Sequence, residues 1–417
     1  MTNSQYPMIL LLLAASSLTV QWPDFRGPDG QGHSPESGLP TEWSESKNVV
    51  WKAATPGSGW SSPIVVGGRV WLTAATGARD VSLRALAYDE ATGRNDVDVD
   101  VFALRRPGAI NAKNSHASPT PVSDGERVYV HFGALGTAAL TLTGEIVWKA
   151  KFPYESQHGN GGSPVLYDDL LIFSCDGSND AFVVAVDKRT GKVRWRTPRR
   201  LPVDQAYSTP LAIRVGERDA IVSVGAYRAA AYDARTGREI WRVSYADGFS
   251  NVPRPVFAGG LVYIATGFQQ PTLLAVRPDG SGDVTKTHVA WTLKRGAPLT
   301  PSPLAVGAEL YIVNDGGIAQ CLDAATGTTH WVQRLGPAYS ASPVFADGRI
   351  YFLSEDGTST VIAPGREFKQ LAASALDGEI LASMAVSERS FFIRTGTHLY
   401  RLALPERTSG TASAVPR

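Results

Sequence analysis

The feature that most limits how this 417-residue chain can fold is a phrase that recurs eight times. A proline opens seven copies, at Pro63, Pro121, Pro164, Pro210, Pro255, Pro303 and Pro343, and Met384 takes its place in the eighth. Successive copies lie 40 to 58 residues apart, the period of propeller blades. Each opens an apolar strand, a Gly- or Asp-rich turn and a second strand, as in "PIVVGGRVWLTA" and "PVFADGRIYFLSE". Alternation across such a turn predicts a β-hairpin. A third strand ends in a second phrase: "AYDEATG", "AVDKRTG", "AYDARTG" or "CLDAATG". There the Asp side chain opens a turn and the Gly supplies positive φ. A fourth strand carries a tryptophan, at Trp148, Trp195, Trp241, Trp291 and Trp331. A periodic aromatic of this kind packs between units, and helix-period segments are almost absent.

These units predict an all-β, eight-bladed β-propeller of four-stranded antiparallel blades. The eighth unit runs out after "THLYRLAL" without an outer strand, while "NVVWKA", with Trp51, precedes the first. Residues 48–53 are therefore expected to complete the last blade and close the ring, which removes its exposed sheet edges. The expected division is a signal peptide over 1–20, a lead segment over 21–47, the propeller over 48–405 and a flexible tail over 406–417. The apolar run Met8–Val20 is too short to span a bilayer and suits a signal peptide. It implies a periplasmic or secreted protein with no transmembrane segment in the mature chain. No cysteine lies near it for a lipid anchor, so a lipoprotein is not expected.

The unit A-x-D-x-x-T-G-x-x-x-W resembles the repeat of quinoprotein-type propellers, named after pyrroloquinoline quinone (PQQ) enzymes and shared by BamB-like outer-membrane assembly factors. The lead "WPDFRGPDGQG" at Trp22–Gly32 is similar to that of exported PQQ-like propellers. The resemblance covers about residues 22–404. It implies the eight-bladed fold and two alternative activities: a scaffold in the cell envelope, or an oxidoreductase carrying PQQ beside Ca²⁺. The alcohol dehydrogenases of that group carry a vicinal cysteine pair, whereas this chain has two distant cysteines, Cys175 and Cys321. No cofactor and no metal site is expected from the motifs. The run "NDVDVDVF" is not a calcium loop, because Val101 and Pro107 stand where a Gly and a Glu are required. It reads as a charged strand edge that resists further pairing.

Site residues are sought where the repeat departs from itself. The residue before each opening proline forms a column: Ser62, Thr120, Ser163, Thr209, Arg254, Ser302, Ser342 and Ser383 (before Met384). Seven small hydroxyls suit a backbone-satisfying role where the chain turns into its strand. Arg254, with five donors and a fixed charge, cannot do the same. It is either a brace paired with Asp247 or Asp204, or an anion anchor at the channel mouth. As a non-conforming residue it should be replaceable by serine without loss of the fold. Nearby loops add Asn114, His116, His158, Asn160, Tyr207, Asn251 and Tyr339, all a few residues ahead of an opening strand and so expected on one face. These eight residues are the candidate ligand-binding set. Two histidines without carboxylate partners do not make a metal site, and no residue is assigned to catalysis.

With 40 basic and 39 acidic residues the net charge is +1, which gives no electrostatic case for nucleic acid. The expected function is non-catalytic: a monomer that recognises an envelope protein or polymer through one face of the ring. The alternatives are a quinoprotein-like oxidoreductase and a carbohydrate-binding or carbohydrate-active propeller using Tyr207, Tyr339 and Trp60.

Overall fold

The computed structural model describes residues 21–405 other than Ala109, Leu201 and Asp247. Eight antiparallel sheets surround a central channel. Blade 1 runs outward from Ile64–Val66 through Arg69–Thr76 and Asp80–Asp89 to Asn95–Arg105. Blade 8 comprises Ala385–Ser387, Ser390–Arg394 and His398–Ala403, and its outer strand is Val49–Ala54 from the other end of the chain. Val49 pairs with Leu402 and Ala54 with His398, so the expected ring joint forms. Two blades gain a fifth, parallel strand: Gly282–Asp283 outside blade 4, and His33–Ser34 on the channel edge of blade 7.

The second repeated phrase is a docking device. In Asp89–Gly93 the carboxylate of Asp89 accepts from the Thr92 amide (2.8 Å) and hydroxyl (2.7 Å), and Gly93 turns back at φ 73°. A β-carbon on Gly93 would sit 2.6 Å from the ring of Trp51, which belongs to the preceding blade. Gly191 stands in the same relation to Trp148, Gly237 to Trp195 and Gly327 to Trp291. Glycine is required at these turns both for φ and for the close approach. The indole of Trp51, Trp148, Trp195 and Trp291 also donates across the seam, to Glu90 O, Lys188 O, Ala234 O and Ala324 O at 2.9–3.1 Å. Each tryptophan thus ties its blade to the next by packing and by a satisfied N–H. Blade 1 uses valine instead, with Val97 against Gly144 of blade 2. In that strand Val97 and Val101 are buried, while Asp96 and Asp98 pair with Arg94 and Arg84 on the outside.

The lead segment does not lie on the outside. Trp22 bridges Val65 of blade 1, Pro23 O accepts from Ser123 of blade 2, and Gln31 accepts from Phe257 of blade 5. His33 reaches Ala305 O of blade 6, and Gly32 O accepts from Phe345 of blade 7. These partners surround the channel, so residues 22–34 cross it and occupy backbone groups on the innermost strands. Trp22 is fully buried, and Leu39 and Trp43 are nearly so. Cys175 and Cys321 are buried free thiols in blades 3 and 6. No helix among the described residues is long and apolar enough to cross a membrane. The expected signal peptide and tail lie outside the described residues.

Candidate functional site

The column of small hydroxyls is a hydrogen-bonded belt. The Ser62 amide donates to the Thr120 hydroxyl (3.0 Å), Thr120 to Ser163 (2.9 Å) and Ser163 to Thr209 (2.9 Å). Arg254 donates to Ser302, Ser302 to Ser342, Ser342 to Ser383, and Ser383 back to Ser62, at 2.9–3.0 Å. Each hydroxyl accepts the amide of the preceding blade, always in the same rotational sense. Seven of the eight seams are joined this way, each bond contributing about 1 kcal/mol. The seam between blades 4 and 5 lacks the link, because Arg254 brings no hydroxyl.

Arg254 is a brace, and Asp204 is not its partner. Its guanidinium is 2% exposed and turns under the belt, where Nη2 meets Asp24 Oδ2 at 3.2 Å. Nη1 donates to Phe25 O and Nε to Pro210 O. Asp204 instead accepts from the Gln205 amide, and Asp247 is outside the described residues. The partner comes from the lead segment, 230 residues away in sequence. Gly30 makes room: its β-carbon would lie 2.6 Å from Arg254 Nη1. Burial raises the Asp24 carboxyl above its usual range despite the Arg254 charge. Arg26 is 1% exposed, and none of its guanidinium nitrogens has a partner among the described residues. Burial and the Arg254 charge bring its pKa down to about 9.

Above the belt lies a funnel of about 560 Å³, the size of a small-ligand or peptide-anchor pocket. All seven belt hydroxyl residues line it, with half-buried Phe25 of the lead segment as its floor. Of the expected set, Asn114, His158 and Tyr207 line it together. Asn114 Nδ2 donates to His158 O at 2.7 Å, which fixes one loop against its neighbour. Trp60 lines the funnel as well.

The other expected residues do not face it. Asn251 is 2% exposed and staples its own loop, with Nδ2 on Gly225 O (2.7 Å) and Oδ1 taking the Gly267 amide (2.6 Å). Tyr339 is fully buried, so its ring is not available to stack on a sugar. Asn160 packs on Gly133 and donates to Gly162 O, and His116 stands apart, its pKa lowered by burial. Sequence reasoning missed Phe249, Phe268 and Phe25. Phe268 is 61% exposed at the rim, with Phe249 5.9 Å away between ring centres. The available signal was an apolar ring in a connecting loop, "TGFQQP", where polar residues are usual.

The funnel does not reproduce the calcium–quinone arrangement that the resemblance implies. Among the described residues Asp315 is the one carboxylate that lines it, and its Oδ2 is held by the Leu299 and Thr300 amides. Neither cysteine reaches it. Among the described residues no three His, Cys, Asp or Glu gather as metal ligands.

The sequence profile of the family described as outer membrane protein assembly factor BamB matches residues 36–199, 225–281 and 279–395. No curated protein sequence is similar enough to match. Among solved structures, BamB from Moraxella catarrhalis is 13% identical, with a TM-score of 0.59 over 85% of this chain and 99% of its own. The quinohemoprotein alcohol dehydrogenase ADHIIG from Pseudomonas putida HK5 is 11% identical, with a TM-score of 0.63 over 95% and 82%. The computationally designed Ika8 protein is 12% identical, with a TM-score of 0.60 over 86% and 100%. At such identities the structural likenesses speak for the fold alone, but the profile covers most of the chain: the protein belongs to the PQQ-like, BamB-like β-propeller family.

Proposed function

We propose that this protein is an exported, non-catalytic binding protein of the cell envelope, monomeric and released by its N-terminal signal, which recognises a polypeptide partner at the funnel mouth. The observation that carries this reading is the aromatic rim on a funnel closed at its base. Phe268 and Phe249 stand together, and Tyr207 and Trp60 line the same opening, whose floor is the chain's own Phe25. An exposed aromatic next to a concave, mixed apolar and hydroxyl surface is the composition of a binding hot spot. The name of the matched family, an assembly factor of the outer membrane, is consistent with a protein partner.

A photo-crosslinking amino acid at position 268, in cells of the source organism, tests this. A cross-linked polypeptide is expected, and Phe268→Asp, with the crosslinker moved to position 249, should abolish it. Absence of any adduct, together with quinone absorbance retained after gel filtration of protein titrated with PQQ and Ca²⁺, would establish the oxidoreductase reading instead.

A further inference from the structure

The belt hydroxyls have an unused capacity. Each is at most 5% exposed, lines the funnel, and accepts one backbone amide. None of the seven donates its own proton to any acceptor among the described residues. Accepting an N–H polarises an O–H and makes it a better donor. The base of the funnel is thus an arc of buried donors, from Ser302 through Ser342, Ser383, Ser62, Thr120 and Ser163 to Thr209. A second observation has the same sign. Arg26, the residue after the floor Phe25, carries a buried guanidinium with no partner among the described residues. Among the described residues Asp315 is the one carboxylate lining the funnel, with its Oδ2 taken by two amides, and Lys113 is tied to Glu355 at 2.6 Å.

The channel is also a dead end. The lead segment crosses it directly below the belt, so an extended chain that enters from the rim cannot pass through. What fits is a chain end. Of the two ends, a carboxylate can accept the unused protons of two or three neighbouring hydroxyls, and the unpartnered guanidinium of Arg26 beneath the floor favours a negative group there.

We infer that the belt is a carboxylate site that captures the C-terminus of the partner polypeptide, with the residues just before that terminus packed on Tyr207, Phe249 and Phe268. This deepens the proposed polypeptide recognition and rests on it. The belt would then have two uses: its oxygens join the blades and its protons read the ligand.

The test uses the full-length mature protein and two matched random decapeptide libraries, one ending in free carboxylates and one in carboxamides. Free-acid peptides should be retained, and individual binders should lose about tenfold or more in affinity on amidation, as expected for hydrogen bonds to a charged group. Ser383→Ala should weaken free-acid binding several-fold, while Ser383→Thr, which keeps the hydroxyl, should not. Equal retention of both libraries would overturn the carboxylate site and leave polypeptide recognition standing. Retention of neither would overturn both. Displacement of bound peptide by inorganic phosphate at the peptide's own concentration would show a general oxyanion site, and would overturn the assignment to a chain terminus.

Discussion

Replacing Arg254 by serine restores the repeat's own residue, yet the structure expects a loss of stability. The guanidinium is 2% exposed and answers Asp24, Phe25 O and Pro210 O. Removing one partner of a buried ion pair costs about 3–5 kcal/mol, because the other charge is left uncompensated. The new serine returns one belt bond, from the Thr209 amide, worth about 1 kcal/mol. The net expectation is a loss of about 2–4 kcal/mol, reversing the fold-neutral outcome that the repeat pattern suggests. The loss should appear first as local opening of the lead segment, read by limited proteolysis near residues 26–34 and by the emission of buried Trp22. Urea unfolding then reports the whole ring. Asp24→Asn in the Arg254→Ser background should recover part of the loss by removing the stranded charge. The sign with pH follows from the raised Asp24 carboxyl. A carboxyl whose folded pKa is raised contributes stability that is lost as pH rises through it, so the variant should be weaker above that pKa than below it. Unchanged urea midpoint and unchanged protease resistance in Arg254→Ser would refute the claim that this residue holds the lead segment in the channel.

Gly191→Ala should destabilise the ring by about 1–3 kcal/mol, since the turn needs positive φ and the methyl would meet Trp148 at 2.7 Å; thermal unfolding measures it. Ser163→Ala should cost about 1–3 kcal/mol by stranding the buried Thr120 amide, whereas Ser163→Thr should cost far less, again read by thermal or urea unfolding. His33 is pulled down by burial but raised overall by Asp29 and Ala305 O. A raised histidine contributes most below its unfolded pKa, so the lead segment should loosen as pH rises through and above about 6.5. Proteolysis across pH 5.5–8.5 should show this, and His33→Gln should flatten the profile.

The blades were legible because their grammar is local. The Asp and Gly of the A-x-D-x-x-T-G turn and the tryptophan that docks on it lie within one or two repeats, and each imposes a geometry that few other residues satisfy. The ring joint was legible from a missing outer strand at one end and a spare one at the other. The site was only partly legible. Asn114, His158 and Tyr207 meet at the funnel because loop position alone puts them there. Asn251 and Tyr339 share that loop position but point inward, a choice made by packing against Gly225, Gly248 and the blade 7 core. Arg254's partner was beyond reach, since no period tells that residues 22–34 run through the channel.

The joint in blade 8 has a consequence for the order of events at synthesis. Val49 pairs with Leu402, so the first blade strand to be made must wait for nearly the last. Until then seven sheets can assemble side by side as an open arc, with Trp51 lacking the neighbours it will have on both sides. Contacts so distant in sequence are slow to form. A chain truncated before residue 398 should therefore accumulate as an unclosed, association-prone arc rather than as a smaller ring, and the final step of folding is a closure that only a completed chain can perform.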